Sequence, residues 1–457
     1  MSGCSQMVTR STVVDWESEG QLYAIGFDGK PAWKHDVKGI CKDESAMSQI
    51  SATAHGKKDD VIYVAIDCCN SMTNNNSAIL LALGGDGQVQ WQSHVICAGK
   101  DSQRCFSMML VADSGAIYFV TQGSSSNYQH QSTPGKMVVL SSKGVTLWSA
   151  PISSDMFTPS LGKGSSEGIV FVSGSNGRSL NALSATDGTV KWSIPLPNGE
   201  KTVQVDVTAD GTVLALNRMG LQQPQGPSQM GGGYLTARSK EGSPLWTHTL
   251  WNKSGSDGWV EKLSMSEGSD GTIYVDLKPT MWASRLLAIS ISGQEKWSLI
   301  GKKGPPSTQN SEGNIFVTSY NSTQSLISLV MVKADGSFSQ FASWRQGDSR
   351  MINEFPSRPL LTRDGSVYIA DPNPEEEQDE NGVLRAFNDQ GREMLKVNCT
   401  LNFQPVSALD DTIYIKRCHY YQFGCSMYSL LAIDAKASAP KWEYVFNMTA
   451  WAGAVLV

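Results

Sequence analysis

A stretch of about a dozen residues that closes on tryptophan recurs along this chain, and it constrains the fold more than any other feature. The clearest copies are QLYAIGFDGKPAW, ILLALGGDGQVQW, KMVVLSSKGVTLW, LNALSATDGTVKW, YLTARSKEGSPLW and LLAISISGQEKW. Weaker copies are LVMVKADGSFSQ, VLRAFNDQGREML and LLAIDAKASAPKW. The last column reads Trp33, Trp91, Trp148, Trp192, Trp246, Trp297, Gln340, Leu395 and Trp442. Nine or ten residues earlier stand Ala24, Ala82, Val139, Ala182, Ala237, Ala288, Met331, Ala386 and Ala432. Four residues before the last column, eight units have Gly and the ninth has Ser438. Trp is only 13 of 457 residues, so seven in nine slots is a real period. Successive slots lie between 43 residues (297 to 340) and 58 residues (33 to 91) apart.

Each unit also has an upstream apolar run: VIYVAID, AIYFVTQ, IVFVSGS, TVLALNR, TIYVDLK, NIFVTSY, SVYIADP and TIYIKRC, with TVVDW (12–16) as the counterpart in the first. Runs of this length, rich in β-branched and aromatic residues and bounded by Gly, Asp and Pro, read as strands. A shorter segment such as MMLVAD (108–113) or PLLTRD (359–364) precedes most of them. A unit is therefore four strands, A to D, in a meander, with a tight C–D turn in which Gly supplies a positive φ. No long stretch carries apolar residues at helical spacing. Charged residues are 18%, while Gly numbers 43, a balance that favours a large all-β protein.

Eight or nine four-stranded antiparallel units make a β-propeller, because a lone blade cannot cover both faces of its sheet and must stack on its neighbours. A Trp on strand D and a small residue on strand C suit that stacking, which makes the repeated Trp packing groups rather than ligand contacts. The expected organisation is an N-terminal tail over 1–11 and one propeller domain over 12–457. The last segment, TAWAGAVLV (449–457), reads as a closing strand that pairs with the first unit and removes the sheet edge.

The pattern Ala-x-x-x-(Asp/Glu/Lys)-Gly-x-x-x-Trp resembles the tryptophan-docking repeat of the pyrroloquinoline-quinone-like β-propellers, over about residues 12–446. That family holds both quinoprotein alcohol dehydrogenases and a non-enzymatic propeller lipoprotein of the outer-membrane barrel assembly machinery. The resemblance implies the fold and eight blades as the usual number. It does not imply a chemistry, since the motif is a packing device.

Connections on the two ends of the blades differ in length. A–B turns (DSG at 113–115, SDG at 269–271, RDG at 363–365) and C–D turns are short. B–C connections such as CCNSMTNNNS (68–77), GSSSNYQHQSTPG (123–135), GLQQPQGPSQMGGG (220–233), PNPEEEQDENG (372–382) and HYYQFGCSMY (419–428) are long, as are the D–A connections. In a meander these emerge on one face, the layout of a binding surface on a rigid scaffold. Tyr128, His130, Trp282, Tyr320, Tyr420 and Tyr421 are the candidate contact residues there, suited to a protein or a glycan partner.

Nine Cys, none in a CxxC, exclude a zinc ribbon or thioredoxin-type site. Eight of them cluster at 41–105 and 399–425, which reads as disulfides and an extracytoplasmic compartment: periplasm, cell surface or medium. Cys97–Cys105 and Cys418–Cys425 are the favoured pairs, each clamping one loop. Cys4, behind Met-Ser-Gly, resembles the acylated Cys of a bacterial lipoprotein, so a lipid anchor there is one reading and a spare thiol the other. Vicinal Cys68-Cys69 resembles the disulfide that packs on the quinone in the dehydrogenases, but separate partners suit the geometry of disulfides better.

A net charge of −6 argues against nucleic-acid binding, and no apolar run is long enough to span a membrane. The six His are scattered, without HExxH. The acidic run Glu375, Glu376, Glu377, Asp379, Glu380 lacks the order of a calcium loop. The reading is therefore a non-catalytic scaffold for a protein partner, with no catalytic, cofactor or metal residues assigned. A quinone-dependent alcohol or sugar dehydrogenase, with pyrroloquinoline quinone and calcium, and a glycan-binding module are the alternatives.

Overall fold

A computed structural model describes residues 12–17, 21–37, 40–41, 47–56, 61–69, 77–96, 106–121, 135–152, 159–174, 177–197, 200–220, 230–252, 262–278, 285–301, 306–321, 326–345, 357–372, 381–400, 405–408, 410–421, 424–446 and 452–456. Among these residues there are nine antiparallel sheets and, apart from strands, one 3₁₀ turn at Gly164–Ser166. Each sheet coincides with one sequence unit. Blades 2 to 9 span 47–96, 106–152, 160–195, 200–252, 262–300, 315–345, 360–400 and 406–446. Blade 1 takes its three outer strands, Thr12–Glu17, Gln21–Gly26 and Pro31–Asp36, from the start of the chain and its inner strand, Ala452–Leu456, from the end, with Val14 opposite Val455. Nine units thus give nine blades, one more than the usual number in the family they resemble.

Blade 7 departs from the four-strand pattern. Its sheet has three strands, Ile315–Asn321, Leu326–Val332 and Phe338–Arg345. Among the described residues the place of strand A is taken by irregular chain that includes Pro306, which has no N–H to offer a ladder. Ser307 N–H donates to the Phe316 carbonyl at 2.9 Å, and Phe316 N–H donates to Ser307 Oγ at 2.8 Å, so the inner edge is still partnered.

There is no single core. Nine apolar clusters each lie between two adjacent blades. One joins Tyr63, Ala65 and Leu80 of blade 2 to Ile117 and Phe119 of blade 3. Another joins Tyr414, Leu430 and Ala432 of blade 9 to Ile25 of blade 1. Alternation along each strand B sends one set of side chains to the preceding blade and the other to the following one. These strands are mostly apolar because both faces are covered.

The repeated Trp sits on these seams. Each indole N–H donates to a carbonyl in the C–D turn of the next blade: Trp33 to Gly85 (2.9 Å), Trp91 to Ser142 (2.8 Å), Trp148 to Ala185 (2.9 Å), Trp192 to Lys240 (2.8 Å), Trp246 to Ile291 (2.8 Å) and Trp297 to Ala334 (3.1 Å). Trp442 of blade 9 donates to Phe27 of blade 1. The ring lies against that turn's glycine. A Cβ at Gly87 (φ 78°) would stand 2.5 Å from Trp33 Cδ2, so this Gly is required both by its backbone and by the indole resting on it. The recurring Gly of units 1 to 7 therefore serves the Trp of the preceding blade. Strand C places Ala24, Ala82, Val139, Ala182, Ala237, Ala288 and Ala432 directly opposite the Trp, and the register slips by one residue immediately afterwards.

Two slots differ. In blade 7 the slip comes earlier, between Leu329 and Val330, so Val330 rather than Met331 faces Gln340. The shift brings Phe341 into the aromatic place: its ring meets Phe316 edge-on at 4.8 Å, and a Cβ on Gly391 would run into the Phe341 carbonyl. Alignment by spacing put Gln340 in the slot, but a displaced bulge moves the slot by one residue. In blade 8 Leu395 has no donor, and the facing turn in blade 9 has Ser438 at φ 47° instead of Gly. There the Tyr368 hydroxyl donates to the Ala435 carbonyl at 3.0 Å, doing the work of the missing indole.

Candidate binding face

The strand order puts A–B and C–D turns at one end of every blade and B–C and D–A connections at the other. At the short-turn end, Asp or Asn opens turn after turn and its side chain accepts the N–H two residues on, as in Asp86 to Gln88 (3.0 Å), Asp187 to Thr189 (3.1 Å), Asp335 to Ser337 (2.9 Å) and Asp364 to Ser366 (3.1 Å). Hydrogen bonds from Thr189 hold the Asp187 carboxyl below the ordinary carboxylate range, and those from Ser337 do the same for Asp335. The indole locks are at this end too, since their acceptors are in the C–D turns. A shallow cleft of about 460 Å³ opens there between blades 5 and 6, lined by Thr208, Asp210, Glu267, Ser269 and Ile291. Burial raises the Glu267 carboxyl within it.

The other end has the long connections. Strand B of blade 2 ends at Cys69 and strand C begins at Ser77. The corresponding gaps are Thr121 to Gly135, Gly220 to Met230 and Pro372 to Asn381. Beneath them runs a layer that spacing arguments passed over. Seven strands B carry a buried polar residue near this end: Asp67, Thr121, Ser173, Asn217, Asp276, Thr318 and Asp371, none more than 5% exposed. Partners accompany several of them. Thr121 Oγ1 donates to the Lys136 carbonyl at 3.1 Å, and Asn217 accepts from Thr202 Oγ1 at 2.8 Å while its amide donates to Ala215 at 3.0 Å. The signal was present in the strands themselves, each of which breaks its apolar run with a polar residue before it ends.

The structure describes the backbone of three of the six expected contact residues. Tyr128, His130 and Trp282 are outside the described residues, as are Cys4, Cys97, Cys105 and the acidic run 375–380. For Tyr320, Tyr420, Tyr421, Cys418 and Cys425 the backbone is described and the side chains are not. Tyr320 is opposite Ile327 near the end of strand B of blade 7. Tyr420 and Tyr421 belong to a hairpin ladder that runs on to Gly424, with Tyr420 opposite Cys425 and Cys418 opposite Tyr428. The stretch 419–428, expected as a loop, is thus mostly paired strand.

One disulfide is present among the described residues, and it is a pair the spacing did not select: Cys41, in the D–A connection of blade 1, with Cys68, at the end of strand B of blade 2, Cα atoms 5.6 Å apart. It ties the long-connection end across the first seam. Because Cys68 is bonded to Cys41, the vicinal Cys68–Cys69 bond that the dehydrogenase resemblance raised does not form.

The densest polar group at this end spans blades 7 and 8. Trp344, on strand D of blade 7, is 8% exposed and donates its indole N–H to Asp371 Oδ2 at 2.5 Å. Phe387 stacks on that indole at 5.3 Å, with 23° between planes. Arg385 lies over it at 5.3 Å, places Nε 3.5 Å from Asp371 Oδ2 and donates from Nη1 to Glu393 Oε1 at 2.8 Å. Burial pushes the Asp371 carboxyl up to about 6, against the opposing pull of Trp344 and Arg385. Cys399, on strand D of blade 8, is a buried free thiol that burial pushes up to about 12, which keeps it unreactive. Nothing in the spacing singled out Trp344, which falls outside the repeat column.

These features define the class of protein, a β-propeller of nine blades locked by tryptophan. The profile of the family described as outer membrane protein assembly factor BamB matches residues 135–444, more than half of the chain, and the chain belongs to that family. Among solved structures it is similar to a eukaryotic initiation factor at 9% identity, covering 97% of this chain and 98% of that one, with a TM-score of 0.62. BamB from Moraxella catarrhalis is 13% identical, covering 81% and 97%, with a TM-score of 0.46. Quinohemoprotein alcohol dehydrogenase from Comamonas testosteroni is 12% identical, covering 75% and 67%, with a TM-score of 0.46. No curated protein matches in sequence.

Proposed function

We propose that this protein is a non-catalytic, extracytoplasmic scaffold that binds a protein partner through the B–C and D–A connections of one face. The observation that carries the reading is the difference between the two ends of the blades. The described C–D turns and most A–B turns are short and internally hydrogen-bonded, the A–B connection of blade 4 at 162–168 being the exception, while the opposite end has the longest connections on a base of buried polar groups. A ring locked at one end presents the loops of the other with little framework left to order on docking, which lowers the cost of association. Membership of an assembly-factor family supports a protein as the partner. The Cys41–Cys68 bond supports an oxidising compartment. A lipid anchor at Cys4 is part of the same proposal.

Photo-crosslinking tests it. A photoreactive residue at position 128 or 282 should give a defined cross-linked partner in cells, and one at position 147 or 245, on the outer strands, should not. Replacing 221–229 by a two-residue turn should weaken that cross-link without unfolding the ring. Turnover of an alcohol with added pyrroloquinoline quinone, calcium and a reducible dye would overturn the scaffold reading.

A further inference from the structure

Seven of the nine seams have an indole donating into the next blade's C–D turn, and the two that do not are the two that bound blade 8. At the blade 7–8 seam Phe341 offers no donor, and the tryptophan of that strand, Trp344, instead holds Asp371 at the long-connection end. At the blade 8–9 seam the column residue is Leu395, and the donors described across it are Tyr368, to the Ala435 carbonyl, and Ser438 Oγ, which reaches Met394 Sδ at 3.8 Å. Strand A of this blade is two residues long, Leu360–Leu361, as it is in blades 4 and 9, so strand length does not set blade 8 apart. Apolar clusters are present at both seams, so the difference lies in the polar locks.

The lock at the blade 7–8 seam rests on a buried carboxylate held by an ion pair within blade 8. Arg385, from strand C, lies between two carboxylates: Glu393, from strand D and 39% exposed at its side chain, and Asp371, from strand B and 1% exposed. Asp371 Oδ1 is buried with no hydrogen-bond partner. Lys396 of strand D adds positive charge near Asp371, blade 7 contributes the neutral Trp344, and Cys399 faces it as a neutral thiol with Arg417 of blade 9 beyond. A fully buried anion that shares its one guanidinium and leaves an oxygen unsatisfied is an expensive contact.

We propose that blade 8 is the segment at which the ring opens, and that the Trp344–Asp371–Arg385 contact is the latch that holds it. The closed ring favours the neutral acid, since burial pushes Asp371 up to about 6, whereas in the opened, solvated state the group returns to its ordinary value near 3.8. The sign follows. Closure is strongest below about pH 4 and weakens as pH rises to about 6, because the open state then releases the proton more readily.

Hydrogen exchange tests this, with rates corrected for intrinsic pH dependence and peptides from blade 4 as the internal reference. Strands of blade 8 should open more readily than those of blade 4, and their opening constant should rise about tenfold between pH 5 and pH 7. Asp371→Asn, which keeps an acceptor for Trp344 and has no charge, should remove the pH dependence and leave blade 4 unchanged. Trp344→Phe removes the donor that favours the carboxylate, so the midpoint of the pH dependence should move upward. Blade 8 exchanging no faster than blade 4, a pH dependence that survives in the Asn variant, or a midpoint unmoved in the Phe variant would overturn the proposal.

Discussion

The two ends of a blade are held together by different means. At the short-turn end the bonds are local or between nearest neighbours, and they repeat: an Asx turn, a glycine, an indole from the preceding blade. At the long-connection end each blade has its own solution, a hydroxyl in one, an amide network in another, a disulfide or an ion pair elsewhere. Repetition at one end keeps the ring regular, because the lock depends on backbone carbonyls that every blade has. Variety at the other end leaves the loops free to differ. The cost is that a seam can lose its repeated lock, as both seams of blade 8 do.

The largest effect expected from breaking this division is at a seam with a buried indole. Trp148 is 7% exposed and has Tyr118 edge-on at 6.2 Å. Trp148→Ala should destabilise the protein by about 3–5 kcal/mol, the range for removing a buried aromatic, read as a shift in the denaturation midpoint. Leu395→Ala should cost less, since no donor is lost with it. Equal losses would mean that the indole hydrogen bond and ring packing contribute nothing beyond apolar area.

Next in size is the covalent tie at the other end. The Cys41–Cys68 bond closes a loop with a sequence separation of 27 residues. Chain-entropy reasoning assigns such a loop about 3.5 kcal/mol. Cys41→Ser with Cys68→Ser should lower the unfolding midpoint accordingly, and a reducing agent should reproduce the shift in the native protein but not in the double variant. A non-reducing peptide map that joined Cys68 to Cys69 instead would remove the tie and restore the dehydrogenase comparison.

A smaller loss is expected at the receiving glycine. Gly188 has φ 73°, and a Cβ there would stand 2.5 Å from Trp148 Cε3. Gly188→Ala should cost about 2 kcal/mol through backbone strain and displacement of the indole. The same change at Gly271, where nothing lies within reach of a Cβ, incurs the backbone part alone. The difference between the two variants isolates the steric share of the lock.

How much of this was legible follows from which interactions are periodic. The four-stranded units, their strand order and the position of the Trp come from features that recur at a fixed offset, and a recurring offset survives in sequence, whereas the choice between eight and nine blades stayed open until the first unit was seen to take its inner strand from Ala452–Leu456. Three things were not periodic. Phe341 fills the blade 7 slot only because a bulge moved by two residues, and no spacing announces a bulge. Cys41 and Cys68 meet because one blade follows another in space, and with nine cysteines the connectivity is not written in the order of the chain. Trp344 and Asp371 are ordinary residues until folding places them on facing strands. The Gly was seen but assigned to its own unit, whereas it serves the one before, because a sequence repeat does not show which neighbour a residue touches.

The smallest effect expected is also the one that sharpens the comparison most. If the lock is a separable device, it can be installed where it is missing. At the blade 8–9 seam, Leu395→Trp supplies the indole and Ser438→Gly supplies a turn that can sit beneath it at positive φ, where Ser438 already stands at 47°. Each change alone should be neutral or mildly destabilising, the first because Ser438 obstructs the ring and the second because glycine frees the unfolded chain. Together they should show a coupling of about 1 kcal/mol in a double-mutant cycle, the scale of one hydrogen bond and one aromatic contact. The Tyr368 hydroxyl already occupies the Ala435 carbonyl, so the gain should grow in a Tyr368→Phe background, where the new indole has that acceptor to itself. Zero coupling in both backgrounds would show that the lock depends on the wider shape of its seam, and that the division between the two ends of a blade is not modular.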